Sequence, residues 1–441
     1  MDLYLSKPGV MSCAGNNIDQ LWNAVITGSQ KGIKKVKACN GEEYFAARID
    51  DSVLKPSGAR YDMKIMRIEN AALEQIADDV AAVRDKYGAD RIAVCIGSCD
   101  NGTEFSLAGH RKYFADGEFP ADYSLEIQGA DYVSTFAKEK FGLNGPAVTF
   151  ATACSSSAGA IIKAAEMIKG GLADAALVGG IDIASDTTLI GFSALEAVSS
   201  EITNPFSKNR HGITLGDGAA FFVMSREPLS VVEPVETTLS SLTEFASQTS
   251  QGLTRGSIRL LGWGESADAY HMTSPDPTGA GAEKAIRRAL ESSGLSLADV
   301  GYINLHGTGT KFNDSMEAKA VAAIFGEAEE DRKAGGAHAA SVPVSTTKPI
   351  TGHTLGAAAA LEAAICWKAL VENSGKNDKI KLPVQVWDGE RDEELPALNI
   401  VDGKSGADGE AEAAGTGGQL KVCLSNSFAF GGANACLVIG I

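Results

Sequence analysis

One pattern occurs twice in this chain and limits the folds open to it: an apolar strand that runs without a spacer into a helix of small residues. It spans residues 146–160, which carry Cys154, and returns at residues 343–357, which carry His353. Residues 92–105 and 303–312 form a second similar pair, in which an apolar strand leads into a loop containing Gly and Thr. Such internal repetition is typical of a duplicated α/β chain. If the halves are equivalent, Cys154 and His353 lie on related turns that face a shared centre.

The remaining sequence continues this alternation. Apolar runs and helical spacing predict buried strands at 91–97, 147–151, 175–180, 219–224 and 420–424, and helices over 158–169, 283–292 and 314–325. We therefore expect an α/β fold with largely buried sheets, built from an N-terminal half, 1–256, and a C-terminal half, 257–441. Polar stretches without a sustained period predict a surface insertion at 227–256 and a flexible excursion at 402–418.

The composition excludes several classes of protein. The chain has 441 residues, 44% hydrophobic and 22% charged, and no apolar run approaches the roughly 20 residues that span a bilayer. Its net charge of −17 is unfavourable for a nucleic-acid partner, because phosphate binding needs clustered Lys and Arg. Eight scattered cysteines match neither a disulfide framework nor paired zinc spacing. We expect reduced thiols in a cytoplasmic protein without a signal segment or a membrane span.

Cys154 lies where the first of the repeated strands turns into its helix. There the positive end of the helix and its unpaired N–H groups would lower the thiol pKa from roughly 8.5 toward neutrality, which favours a nucleophilic thiolate. The alternative is a buried structural cysteine, the more common state of a lone cysteine in an apolar run. Other segments of the chain must decide between the two.

Two histidines and an aromatic loop favour a reactive site. His306 in Asn-Leu-His-Gly-Thr-Gly-Thr and His353 in Ile-Thr-Gly-His-Thr-Leu-Gly each adjoin glycine, at positions typical of loops at sheet ends. Phe428 and Phe430 belong to a loop, Asn-Ser-Phe-Ala-Phe-Gly-Gly, that follows a predicted strand. Each histidine alone could be a core residue, and the loop alone could be a tight turn. Together they predict a catalytic site with a movable apolar gate.

These four ordered segments resemble those of the β-ketoacyl-acyl-carrier-protein synthases, the decarboxylating condensing enzymes of the thiolase fold, over nearly the whole chain. The resemblance implies duplicated α/β halves in a layered α-β-α-β-α arrangement. The Cys-His-His set is similar to that of the elongating synthases, because initiating synthases carry Asn where His353 stands. Thiolases carry a second catalytic cysteine in a Gly-rich motif, and Cys436 is a poor match because it lies in a predicted strand.

The resemblance implies an acyltransferase, a 3-oxoacyl-acyl-carrier-protein synthase, that works in two half-reactions. The thiolate of Cys154 takes an acyl group from a thioester, and the backbone amides of Cys154 and Phe430 hold the oxyanion beside the Phe428–Phe430 gate. A malonyl thioester then loses CO2, and N–H groups of His306 and His353 stabilise the enolate. No cofactor or metal is implied, because the substrates are carried on the phosphopantetheine of acyl carrier protein.

Lys348 and Glu317 match the family's supporting pair, which orients the histidines through charge and hydrogen bonding. The alternative is a solvated loop cation and a carboxylate on an exposed helix face. Thr308 and Thr310 match the positions that hold the pantetheine arm, and we expect Thr273 to bind the same arm.

Lys64 and Arg67 lie three residues apart on a predicted helix and match the family's docking pair for the acidic carrier protein. Two exposed helix charges without a partner are the alternative. By resemblance we also expect a homodimer.

Two features depart from the family pattern. Ala429 stands between the two phenylalanines where the family commonly has Gly, and alanine resists positive φ, so we expect a restricted or differently hinged gate. The insertion 227–256 is longer and less helical than the family's connection at this point.

The pathway stays open at this stage. Elongation of fatty acids is the first hypothesis, and a ketosynthase of a polyketide or polyene pathway is the second. A non-catalytic partner subunit is the third, and it is disfavoured because the chain retains Cys154, both histidines and Lys348.

Overall fold

The computed structural model describes residues 1–229, 258–326, 342–376, 379–403, 410–412 and 419–441. The predicted insertion 227–256 therefore lies outside the described residues from 230 onward. Within the predicted excursion 402–418, residues 410–412 form a short strand that pairs with residues 379–381, which corrects the expectation of an entirely irregular segment. Both ends of that excursion fall partly outside the described residues.

The described residues contain seventeen strands. They are β1 Tyr4–Leu5, β2 Gly9–Ser12, β3 Lys34–Lys37, β4 Glu43–Ala47, β5 Ile92–Gly97, β6 Ala147–Phe150, β7 Ala175–Asp182, β8 Leu215–Gly216, β9 Gly218–Ser225, β10 Arg259–Ala267, β11 Tyr302–Asn304, β12 Pro343–Ser345, β13 Lys379–Lys381, β14 Asn399–Ile400, β15 Glu410–Glu412, β16 Val422–Phe428 and β17 Ala433–Gly440.

Eleven α-helices lie in the same described ranges. They are α1 Ile18–Thr27, α2 Lys64–Glu74, α3 Ala77–Tyr87, α4 Thr103–Asp116, α5 Tyr132–Phe141, α6 Ser156–Lys169, α7 Asp186–Ala194, α8 Ala280–Ser293, α9 Lys311–Phe325, α10 Lys348–Thr351 and α11 Ala358–Glu372. In the described part of the chain, no helix combines the length and the apolar character needed to cross a membrane.

Twelve strands join in one sheet whose two halves have the same strand pattern. Its order is β14-β12-β11-β16-β17-β10-β1-β9-β7-β5-β6, with β2 added on β9. In one half β6, β5 and β7 are parallel and β9 is antiparallel to β7; in the other half β12, β11 and β16 are parallel and β17 is antiparallel to β16. The two-residue strand β1 links the halves by pairing with β9 and β10. This symmetry confirms the duplication predicted from the repeated sequence pattern.

Two helices of small residues fill the space between the halves. Every residue of α11 from Ala358 to Leu370 is buried, and α6 is buried along most of its length. The two helices pack on each other and on strands from both halves of the sheet. A helix that is apolar on all sides belongs to a protein interior. Helices α6 and α11 together form the middle α-layer of the α-β-α-β-α arrangement, and other helices cover the outer faces.

The turns that lead into α6 and α11 are equivalent in detail. Each begins with a non-glycine residue in the left-handed region, Ala153 with φ 50° and Leu355 with φ 49°, and continues as a single 3₁₀ turn. Such a conformation costs of order 1–3 kcal/mol and persists only where its surroundings enforce it. The residue equivalent to Cys154 is therefore Gly356, and His353 lies three residues earlier. Both turns face one centre, as predicted, but their functional residues occupy different positions.

Most predicted elements are present, with shifted ends. The strand predicted at 420–424 shows the largest shift, because β16 runs from Val422 to Phe428. It extends further because β17 pairs with it up to Phe428 and Asn434. Phe428 is thus the last residue of a strand, and only the residues after it form the turn.

Candidate active site

Cys154 lies in the turn between β6 and α6 and is 6% exposed. Its turn is fixed by local hydrogen bonds: the Thr152 amide donates to Ser156 Oγ, which itself donates to the Ala153 carbonyl at 2.6 Å. The backbone amides of Phe430 and Cys154 both act on the sulfur and lower the pKa of the thiol. These are the two donors that the sequence assigned to an oxyanion hole.

His353 contacts the nucleophile directly. Its Nε2 lies 3.0 Å from Cys154 Sγ. The backbone of His353 is anchored beside β8, since its amide donates to the Thr214 carbonyl and its carbonyl accepts from the Gly216 amide. The preceding Gly352 has φ 69°, and a Cβ there would lie 2.5 Å from the Cβ of Ala47. The glycine before this histidine is therefore required by both conformation and space.

His306 follows β11, and its ring stands nearly perpendicular to that of His353 at 5.3 Å. Lys348 Nζ lies 3.5 Å from His306 Nδ1. Because an ammonium group only donates, His306 Nδ1 is the acceptor and its proton is on Nε2. Lys348 is buried and also binds Glu362 of α11, which neutralises its charge. The predicted orientation of His306 by Lys348 thus has a geometric basis.

Glu317 is fully buried on α9 and does not lie on an exposed helix face. Its two carboxylate oxygens accept hydrogen bonds from the backbone amides of His306 and Gly307, at 2.8 and 2.7 Å. Asn426 of β16 donates to the same carboxylate. Glu317 therefore holds the loop that carries His306 and does not contact the imidazole ring through these bonds.

Burial sets the protonation of the site at rest. It raises the pKa of the Cys154 thiol to about 11, against the opposing effects of the Lys348 charge and the two amide donors. Burial and the Lys348 ammonium also lower the pKa of both His306 and His353 well below the usual range. The resting site therefore contains a thiol and two neutral imidazoles. This result corrects the expected thiolate, because desolvation outweighs the helix terminus.

The aromatic gate follows β16. Phe428 is buried with its ring 6.2 Å from that of His306, and the half-buried Phe430 lies 5.9 Å from the ring of Phe192. The left-handed residues of this turn are Gly431 and Gly432, and Ala429 is not among them. Alanine at 429 is therefore compatible with the turn as it stands, and restricted gate opening stays a prediction.

The three threonines predicted to hold pantetheine lie in two loops. Thr308 Oγ1 is 3.1 Å from Thr310 Oγ1, and Thr310 caps the N-terminus of α9 through the Asn313 amide. Thr273 lies in a different loop, where its hydroxyl is 3.4 Å from His271 Nδ1. A pantetheine role for all three stays a prediction.

Lys64 and Arg67 do not form two free cations on α2. Lys64 Nζ contacts the buried carboxylate of Asp217 at 3.0 Å and also that of Asp51 at 3.3 Å. Arg67 pairs with Asp62 at 2.8 Å and remains about one third exposed. Asp217 is far from Lys64 in sequence, so the helix pattern gave no sign of this pairing. A docking role for the two residues stays a prediction that these ion pairs weaken.

Among the described residues, one group of side chains has the chemistry to hold a metal ion. The donor atoms of Cys154, His306 and His353 lie within 4.8 Å of one another, a set that suits a soft divalent ion. Four other buried side-chain oxygens have no hydrogen-bond partner among the described residues: Glu362 Oε2, Asn304 Oδ1, Asn426 Oδ1 and Ser425 Oγ. Hard oxygen ligands of this kind suit water or a hard cation.

Sequence reasoning missed several residues that support this site. Glu362 had a recognisable signal, since it is a carboxylate among the apolar residues of the first two turns of α11. Asn426 lies inside the quoted aromatic motif, but its bond to Glu317 joins residues far apart in the chain. Asp182 accepts the amides of Cys99 and Gly356 and so ties β7 to the loop after β5 and to the turn before α11. Burial and nearby Asp100 raise the pKa of Asp182 to about 7.

Comparison with known proteins agrees with this geometry. The chain matches the β-ketoacyl synthase N-terminal domain over residues 9–229 and the C-terminal domain over residues 258–374. It is 30% identical to a 3-oxoacyl-[acyl-carrier-protein] synthase 2 of Coxiella burnetii, over 98% of this chain and 96% of that protein, and 31% identical to one of Vibrio harveyi with the same coverage.

Solved structures show the same fold. A Xenorhabdus doucetiae structure of a ketosynthase in complex with its chain length factor aligns with a TM-score of 0.78 and 33% identity, over 100% of this chain and 98% of that one. A β-ketoacyl synthase from Burkholderia phymatum aligns with a TM-score of 0.75 and 23% identity, over 100% and 99% of the two chains. The chain belongs to the β-ketoacyl synthase family, whose members are condensing enzymes of the acyltransferase class.

Proposed function

We propose that this chain joins an acyl group held on Cys154 to a malonyl thioester in fatty-acid elongation, giving a 3-oxoacyl thioester and CO2. The observation that carries the proposal is the convergence of one thiol, two neutral imidazoles and two backbone amide donors in one buried site. A thiol nucleophile suits thioester exchange, and preorganised donors suit a developing oxyanion or enolate.

In the first half-reaction the sulfur of Cys154 forms a bond to the acyl carbon, and the carrier thiol leaves. The thiol must lose its proton first, and Nε2 of His353 is in position to accept it. That proton then passes to the departing thiolate, which leaves His353 neutral. This step adds a role for His353 in activating the sulfur.

In the second half-reaction the malonyl thioester loses CO2, and its enolate carbon forms a bond to the acyl carbon on Cys154. The bond between that carbon and the sulfur breaks, and the released Cys154 thiolate takes a proton from water to restore the thiol. His306 presents Nε2–H to the enolate oxygen because Lys348 occupies its Nδ1. His353 donates in the same way when its Nε2 carries the proton. His353 can take this tautomer once Cys154 is acylated, because the sulfur then has no proton to donate to Nε2.

The proposal is tested by separating the half-reactions. Cys154→Ala should abolish condensation but retain CO2 release from malonyl-carrier protein, whereas His306→Ala should lose most CO2 release and retain acylation of Cys154. Radiolabelled CO2 and the mass of the acylated chain report the two steps. Unchanged condensation by Cys154→Ala would disprove the role of the sulfur.

The partner proposed for both steps is acyl carrier protein, with the substrates on its phosphopantetheine and no further cofactor. Thr308, Thr310 and Thr273 are the proposed contacts of the pantetheine amides, because hydroxyl groups both donate and accept. A cytoplasmic location is supported by eight free cysteines, which fit a reducing compartment. The division into halves 1–256 and 257–441 is supported by the symmetry of the sheet.

A ketosynthase of a polyketide or polyene pathway is the second candidate function. The Xenorhabdus doucetiae ketosynthase structure, at 33% identity over the full chain, favours it. In that case the partner subunit would be a related but different chain. Products released from a reaction with only malonyl-carrier and one acyl primer would discriminate the two, since repeated condensation without reduction marks the second candidate.

A further inference from the structure

A small cavity of about 170 Å³ opens beside Cys154. Its lining includes Ala153, Leu355, Phe192 and Phe430, together with Ile183 and Thr103. Pockets that enclose drug-sized ligands are larger, on the order of 300–1,000 Å³. An acyl group on Cys154 must enter this space or remain in the entrance.

A second cavity of about 360 Å³ lies beyond the first. The two cavities share only Ile183 and Thr103 as lining residues. The second one is more open and contains charged side chains, among them Arg48, Glu104 and Arg111. Ile183 and Thr103 therefore form a partition between an enclosed cavity beside the nucleophile and a wider, charged cavity.

Hydrogen bonds make the Thr103 side of the partition rigid. Thr103 Oγ1 donates to Asp100, which also accepts from the Gly102 amide at 2.7 Å and from Tyr132 Oη at 2.6 Å. Asp100 is buried, and Tyr132 anchors it to α5. Thr103 cannot swing aside without breaking this set of bonds.

The Ile183 side is fixed by its strand. Ile183 is 5% exposed and directly follows Asp182, the last residue of β7. Asp182 accepts the amides of Cys99 and Gly356, at 2.9 and 2.6 Å. These bonds tie the end of β7 to the loop after β5 and to the turn before α11, so Ile183 is held in place as well.

We propose that Ile183 and Thr103 determine acyl chain length and restrict the group held on Cys154 to short chains. This inference rests on the proposed function, since it concerns the acyl group of the first half-reaction. A longer unbranched chain would have to displace the partition or fold back into the entrance. Replacing Ile183 by a smaller residue joins the two cavities and removes the limit.

The test is acylation of Cys154 by a series of acyl-carrier thioesters from acetyl to decanoyl, followed by mass spectrometry of the intact chain. The unaltered protein should load butyryl at least about tenfold faster than octanoyl, because one methylene without space in an apolar pocket already changes rates by about tenfold or more. Ile183→Ala should raise the octanoyl-to-butyryl ratio by about tenfold.

Ile181→Ala is the matched control. It makes the same deletion two residues earlier in the chain, within β7, at a buried position that lines neither cavity. The chain-length ratio should not change in this variant. Thr103→Ser is a milder second variant, because it removes one methyl group from the partition and keeps the hydroxyl that binds Asp100. It should shift the ratio in the same direction as Ile183→Ala, and thermal unfolding of each variant verifies that it is folded.

The possible failures are distinguishable. If the unaltered protein loads octanoyl as fast as butyryl, or if neither Ile183→Ala nor Thr103→Ser changes the ratio, the partition does not set chain length. If no acyl thioester of any length labels Cys154, the proposed function itself fails. An equal shift in Ile181→Ala would overturn the assignment to the partition, because a general loosening of the core would then be the cause.

Discussion

At Cys154, burial and local hydrogen bonding act in opposite directions on one sulfur atom. The two backbone amides and the Lys348 charge favour the thiolate, while complete removal from solvent favours the thiol. The thiol pKa of about 11 shows that burial has the larger effect. A helix terminus predicted from the sequence gives the direction of one contribution to the thiol pKa. It does not give the total shift in pKa, because the amount of burial depends on residues from the whole fold.

The first prediction follows from this thiol. The rate of Cys154 alkylation by iodoacetamide should rise about tenfold per pH unit between about pH 7 and 9.5, because the thiolate fraction grows in that proportion below the thiol pKa. The rate is measured as loss of acylation competence, and Cys154→Ala identifies labelling of other cysteines. A rate that is independent of pH over this range would show a thiolate–imidazolium pair at rest.

Lys348 leads to the second prediction. Lys348→Met keeps the length of the side chain but removes the donor to His306 Nδ1, so the imidazole can take the tautomer that turns its acceptor toward the enolate. CO2 release from malonyl-carrier protein should fall about 100-fold, in the range found when one oxyanion donor is lost. Acylation of Cys154 should change much less.

The control for this substitution is Lys163→Met on α6, where the lysine is exposed and pairs with Glu166. It removes a charge at the surface and should leave both half-reactions intact. A fall of equal size in acylation and in CO2 release for Lys348→Met would contradict the assignment to His306 alone.

Among the elements, β7 has the most direct effect on the geometry of the site. Gly180 of β7 lies against both equivalent turns: a Cβ there would be 2.6 Å from Ser157 Cβ, 3.0 Å from Ala357 Cα and 3.1 Å from the Gly356 carbonyl. Close packing leaves no room to absorb such an overlap. One strand thus sets the distance between the turn of Cys154 and the turn that follows His353.

The third prediction tests that role. Gly180→Ala should destabilise the fold by about 1–3 kcal/mol and reduce acylation of Cys154 more than tenfold, since the turns must move apart. Urea unfolding and the acylation rate measure the two effects. Gly191→Ala on α7 is the control, because a Cβ there meets no atom within 4 Å. Normal acylation in a folded Gly180→Ala protein would contradict the argument.

The sequence predicts the elements and site residues that have a local pattern, but not those that depend on contacts between distant segments. Period and repetition predict β5, β7, α6 and the duplication, because these signals are local. The same is true of Cys154, His306 and His353, which stand in short motifs. Glu362, Asp182 and the partner of Lys64 act through contacts between segments far apart in the chain, and no local pattern reports such contacts. Asp217 in particular pairs with Lys64 across about 150 residues, and this ion pair weakens the predicted docking role of the lysine.

For the whole molecule, an edge of the sheet that no described strand covers offers a surface on which a second chain can pair. β6 is the last strand on its side, and residues Ala147 to Phe150 are only partly buried. Val94 donates to the Pro146 carbonyl and Ser98 to the Phe150 carbonyl. With a period of two, residues 146, 148 and 150 face β5, and the amides of Ala147 and Thr149 face away from it. An unprotected edge of this kind is a ready site for another strand.

The fourth prediction is a homodimer that pairs β6 with β6 of a second copy around a two-fold axis. A symmetric contact of this kind brings the two edges together antiparallel, a few residues before each Cys154, so the dimer also stiffens the nucleophile turn. Sedimentation should give a mass of about twice 45.8 kDa. Ala147→Pro removes an outward amide and leaves the bonds to β5 in place, so it should shift the equilibrium to monomer and slow acylation, whereas Ala147→Ser keeps the amide and should remain dimeric. A dimer that survives Ala147→Pro with full activity would place the contact elsewhere, and a monomer with full activity would show that one chain holds a complete site.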